Sequence, residues 1–125
     1  MEEPNPELIG YKGEPIVKGS ETIYEMVTAE DGFGFGVALV RITDQPNEGH
    51  WHEHTRELYV VVWGELSVRS GPKGRRESIT SSIREGGSRS IEPGHVHQSH
   101  ALGSHAWFYV FTWPPFDPAD YHPVD

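Results

Sequence analysis

Apolar and polar positions along this 125-residue chain alternate over short stretches, with turn residues interrupting them at close intervals. Residues 22–28, 35–43, 57–63 and 105–113 are rich in β-branched and aromatic side chains, which suits pleated strands. Weaker runs at 15–18, 65–70, 77–84 and 88–91 extend the series, separated by Asp31-Gly-Phe-Gly, the segment 44–49, Gly71 to Gly74, Gly86-Gly87 and Pro93-Gly94. Within 57–63 the period of two puts Glu57, Tyr59, Val61 and Trp63 on one face and Leu58, Val60 and Val62 on the other. Both faces are therefore apolar, as they are over 106–112, and the outer one needs a cover. Another sheet of the chain or a second subunit could supply it, and the expectation is a homodimer.

Seven or eight short strands at this spacing predict an all-β fold, a small antiparallel β-barrel or jelly roll able to hold one small ligand in its mouth. The predicted organisation is an irregular N-terminal arm over 1–21, the barrel over 22–113 and an extended tail over 114–125, whose prolines exclude a regular helix. No internal repeat, heptad or amphipathic helix of useful length interrupts it.

Composition narrows the partners. A net charge of −9 with scattered Lys and Arg excludes a nucleic-acid surface, and the one basic run, Lys73-Gly-Arg-Arg76, reads as a solvated hairpin tip. The acidic, proline-containing N-terminus has no apolar core, and no run approaches the roughly 20 residues of a membrane span. The expectation is a soluble cytoplasmic protein with a small-molecule substrate, bound to neither membrane nor nucleic acid. With no cysteine, any metal site must use His and carboxylate.

That chemistry is concentrated in one stretch. His50, His52, His54 and Glu57 fall within eight residues, leading into the apolar strand that stops at Gly64. Histidines at i and i+2 share a strand face, and a carboxylate beyond a short turn can swing back beside them. About forty residues on, Pro93-Gly94 turns the chain toward another histidine. Three imidazoles and one carboxylate make a mixed N/O site for one divalent transition metal ion, Fe, Mn, Ni, Co or Zn, rather than Ca or Mg.

The first stretch resembles the first cupin motif: His50-x-His52, four residues, Glu57, six residues, Gly64. The second is similar to the second cupin motif, with Gly86, Gly94 and His97 in register; Asp44, Glu92 and Ala101 stand where the family usually has Gly, Pro and Asn. The resemblance implies a single-domain metal-binding cupin with His50, His52, Glu57 and His97 as ligands. Four protein ligands leave about two positions of an octahedral ion for water, dioxygen or a chelating substrate. His52-x-His54 is the alternative register, but Glu57 then follows too soon for the chain to turn. Gly49-His50-Trp51-His52 and the tail to Tyr121 also resemble cupin-type phosphoglucose isomerases, which keeps an isomerase beside lyases, cyclases and dioxygenases. The contrasting reading is a non-catalytic cupin that binds or senses a metal or small ligand. For catalysis, Tyr59 is the proton-handling candidate because it follows Glu57 by two residues; His100 and His95 are the next, being near His97.

Overall fold

The computed structural model describes residues 2–124. One helical turn, α1 (Pro6–Ile9), precedes eleven strands: β1 (Ile16–Lys18), β2 (Glu21–Val27), β3 (Gly36–Thr43), β4 (His50–Trp51), β5 (Arg56–Trp63), β6 (Leu66–Pro72), β7 (Ile79–Ile83), β8 (Ser88–Ile91), β9 (His95–Ala101), β10 (His105–Trp113) and β11 (His122–Pro123). They form two antiparallel sheets, ordered β1-β2-β3-β10-β5-β8 and β11-β4-β9-β6-β7. The expected all-β antiparallel fold is present as a two-sheet sandwich and not as a closed barrel: no ladder joins the sheets among the described residues. Between the edge strands β8 and β7, Arg89 crosses the gap, donating to the carbonyls of Val68 and Ile79 and the hydroxyls of Ser70 and Ser81.

The core lies between the sheets and follows the predicted alternation. In β5, Tyr59 and Val61 are buried with Glu57, while Leu58, Val60 and Val62 on the opposite face are half-buried. The inner face packs Tyr59 and Val61 with Val40, Ile42, Leu66, Val68, Ile83, Ile91, Ala101, Ala106 and Phe108. Part of the outer face is covered by the N-terminal arm, in which the weak run expected at 15–18 forms β1. Tyr11 meets Tyr24 edge-on, Tyr24 stacks on Trp107, and the Trp107 indole donates to Glu3.

Two further stretches bear on the site. The expected strand that delivers His97 is β9, which carries His97, Ser99 and Ala101 inward. Its inner positions are small or polar, so it lacks the apolar alternation that marks the other strands. The C-terminal tail contains a 3-10 turn at Pro118–Asp120 and then pairs through β11 with β4, instead of remaining extended.

Gly64 links the sheets at the β5–β6 turn with φ of +79°, and a Cβ there would lie 3.0 Å from the His105 carbonyl oxygen. Both the left-handed backbone and the close approach require glycine. Gly64→Ala is therefore expected to lower stability by about 1–3 kcal/mol, measured by urea unfolding; an unchanged midpoint would contradict this account of the turn.

Candidate metal centre

Both sheets contribute to the site. His50 in β4 is the register partner of His97 in β9, His52 lies just beyond β4, and Glu57 enters from β5 in the facing sheet. All four are buried, and their donor atoms lie within 4.8 Å of one another. His97 Nε2 is 2.8 Å and His52 Nε2 3.3 Å from Glu57 Oε1. Adjacent ligands of an octahedral ion at about 2.1 Å are separated by about 3.0 Å, so the spacing suits one ion.

Tautomers reinforce the geometry. The Nδ1 atoms of His50, His52 and His97 lie 2.8, 2.9 and 3.1 Å from the backbone oxygens of Glu48, Asp120 and His95. A carbonyl only accepts, so each Nδ1 carries the proton and each Nε2 presents a lone pair. Despite their proximity, His52 Nε2, His97 Nε2 and Glu57 Oε1 are fully buried without an aligned hydrogen-bond partner. Converging buried acceptors need a positive species between them, and the imidazole–carboxylate set fits a divalent transition metal.

Electrostatics point the same way. Burial opposes the charge of Glu57, but His52 and His97 outweigh it and hold its carboxyl well below the usual range. Burial, reinforced by His97, pushes the His50 pKa down to about 3, keeping it neutral. For His52, burial is outweighed by Glu57 and the pKa rises, because a proton on His52 can occupy the position that an ion would take.

The C-terminal tail supports the ligands, a role that sequence reasoning missed. The Asp120 carboxylate accepts from the backbone N–H groups of Glu53 at 2.8 Å, His54 at 2.9 Å and Thr55 at 3.3 Å, while its carbonyl takes the His52 proton. Burial opposes the charge of Asp120, but these donors and His122 hold its pKa down to about 2. Tyr121 stacks on His50 with ring centres 4.5 Å apart, its hydroxyl donates to Glu48, and Lys18 Nζ sits 3.3 Å from the ring centre. Aspartate followed by tyrosine in a proline-rich tail carries no local pattern that tells where the tail folds back.

The other sequence candidates separate. Tyr59 is buried beside the site, its ring centre 6.3 Å from that of His97; burial, with Glu57 and Glu21, raises its pKa far above the usual phenol value. It therefore remains protonated and can donate, not act as a base. In β9 the alternation places His100 on the face opposite His97, shared with its register partner Ser67. His54 is exposed beside Glu53, and His105 is bonded to Glu3 and Ser104. His95 contributes its carbonyl to orient His97.

No protein-family model matches the sequence, and no curated protein matches it. Solved structures match well. The capsular polysaccharide assembling protein CapF from Staphylococcus aureus superposes with a TM-score of 0.76 at 19% identity, over 93% of this chain and 32% of CapF. A mutant of oxalate decarboxylase OxdC from Bacillus subtilis gives a TM-score of 0.76 at 18% identity, over 89% of this chain and 30% of OxdC. These are cupin-fold proteins. The chain has the cupin fold. A protein from Planctomyces limnophilus matches at TM-score 0.69 and 22% identity, over 87% of this chain and 88% of that one. This chain spans about a third of the length of the CapF and OxdC chains.

If the tail positions this cupin site, Asp120→Ala should weaken metal binding by about 10–100-fold, the usual effect of losing support behind a ligand. Competition with a chromophoric chelator measures this; unchanged affinity would contradict the role given to the tail.

Proposed function

We propose that this chain is a metal-dependent cupin enzyme acting on a small oxygenated organic molecule by an isomerase, lyase, cyclase or dioxygenase reaction. The observation carrying the proposal is the convergence of three Nε2 lone pairs and the Glu57 carboxylate, with unpartnered acceptors buried between two sheets. A divalent ion held there supplies Lewis acidity and open coordination positions for a chelating oxygenated ligand. His50, His52 and His97 bind through Nε2, and Glu57 offsets part of the ion's charge. Tyr59, held protonated by its buried surroundings, donates a hydrogen bond to a substrate oxygen.

Metal analysis of untagged protein, followed by turnover assays on sugar phosphates, diketones and flavonoids, tests the function. Tyr59→Phe should leave metal content unchanged and reduce turnover of the identified substrate by about 10²–10³-fold, the range for losing one hydrogen-bond donor to developing charge. Metal-loaded protein inert toward the whole panel would favour the sensing alternative, and unchanged turnover in the variant would refute the role of Tyr59.

The enzyme is further proposed to work as a cytoplasmic homodimer. No described helix is long and apolar enough to cross a membrane. Leu58, Val60 and Val62 in β5 and Tyr109 and Phe111 in β10 form a half-buried apolar strip on the outer face, with Leu58 opposite Phe111 and Val60 opposite Tyr109. Burying such a strip against a second copy is favourable by about 25 cal/mol per Å². Sedimentation at micromolar concentration should give twice the 14.1 kDa of one chain; a species of single-chain mass would contradict the dimer.

A further inference from the structure

Next to the ligand set lies a carboxylate that the ion site does not use. In β2, Glu21 is the register partner of the fully buried core residue Ile42, which turns its side chain toward the space between the sheets. There it accepts from Asn47 Nδ2 at 3.2 Å. Asn47 has little freedom to turn: its N–H donates to the Ser99 carbonyl, its Oδ1 accepts from the Ser99 N–H at 2.8 Å, and its carbonyl accepts from Gln98 Nε2. Because Oδ1 is committed to Ser99, the amide must aim its NH₂ group at Glu21.

The Glu21 carboxylate is only partly satisfied. Among the described residues no cation pairs with it, and Lys18, its register partner in β1, places its ammonium over the Tyr121 ring instead. Two residues beyond His97 on the same inward face, Ser99 is fully buried and its hydroxyl has no partner. Near the ion ligands, then, are an acceptor with free lone pairs and a hydroxyl awaiting a partner. Burial raises the Glu21 pKa and the negative charge of Glu57 adds to it, outweighing Asn47 and the more distant Lys18 and His97, which makes the carboxylate a stronger proton acceptor.

We propose that Glu21, with Ser99, selects the substrate: it accepts a hydrogen bond from a further hydroxyl of a metal-chelating hydroxy acid or hydroxy-carbonyl compound and turns away chelators with a second carboxylate. A carboxylate oxygen can only accept, so its complement is an O–H donor, and another anion brought beside Glu21 and Glu57 meets like charge. The inference rests on the metal reading of His50, His52, Glu57 and His97. It separates this chain from a protein made for a dianion, whatever the fold they share.

Three α-hydroxy acids with a common chelating end test it: lactate carries a methyl group, glycerate a hydroxymethyl group and tartronate a second carboxylate. Cobalt(II)-loaded protein is titrated with each and followed by visible absorption, after metal content has been measured. The native chain should bind glycerate at least fivefold more tightly than lactate, and lactate more tightly than tartronate. Glu21→Gln should keep its cobalt, lose the preference for glycerate and bind tartronate at least tenfold better. Ser99→Ala, which retains the backbone contacts to Asn47, should weaken glycerate alone. A chain that takes up no cobalt overturns the metal reading, and this inference with it. Normal cobalt content with the acids ranked alike in native and Glu21→Gln protein, or with none of them bound, overturns the assignment of Glu21 alone.

Discussion

A buried carboxylate facing buried imidazoles is the constraint on which the rest of this structure depends. Removing one carboxylate from water costs several kcal/mol unless partners replace the lost solvation. Glu57 is 7% exposed and has His52 and His97 as neighbours, both turned with lone pairs toward it. A proton on His52 relieves this arrangement in part; an ion relieves it for all four side chains together. The two sheets therefore meet at a point where neither is complete alone, with carboxylate from one and imidazoles from the other.

Much of the surrounding chain serves to hold that point. Each imidazole is aimed by a backbone carbonyl, and the one behind His52 comes from Asp120, far along the chain. The same Asp120 ties down the turn between His52 and Glu57, so one residue fixes both the orientation of a ligand and the loop spacing two of them. On the other side, Asn47 locks the segment leading into β4 to β9 through Ser99, two residues from His97. Rigid support of this kind keeps a ligand set within the narrow geometry that an ion demands.

The sequence revealed local periodicity and motif spacing well, and long-range returns poorly. Alternation from Glu57 through Val61 predicted which side chains enter the core because strand period is a property of the backbone. The pairing of His50 with His97 followed from motif resemblance and then from the β4–β9 register. The facing of His100 was not legible because the inner His, Ser and Ala of β9 give no apolar alternation from which to read it. The tail was illegible for a different reason: Asp120 and Tyr121 act through contacts some 65–73 residues away, to which no local pattern points.

The central claim is that one ion occupies the point where His50, His52, Glu57 and His97 converge, and X-ray absorption at the metal edge of stoichiometrically loaded protein tests it most directly. The account predicts three imidazole nitrogens and one carboxylate oxygen at about 2.0–2.3 Å, the remaining positions filled by light atoms from solvent, with the imidazole signal reduced by one in His97→Ala. A first shell without imidazole, or one unaltered by that substitution, would contradict it.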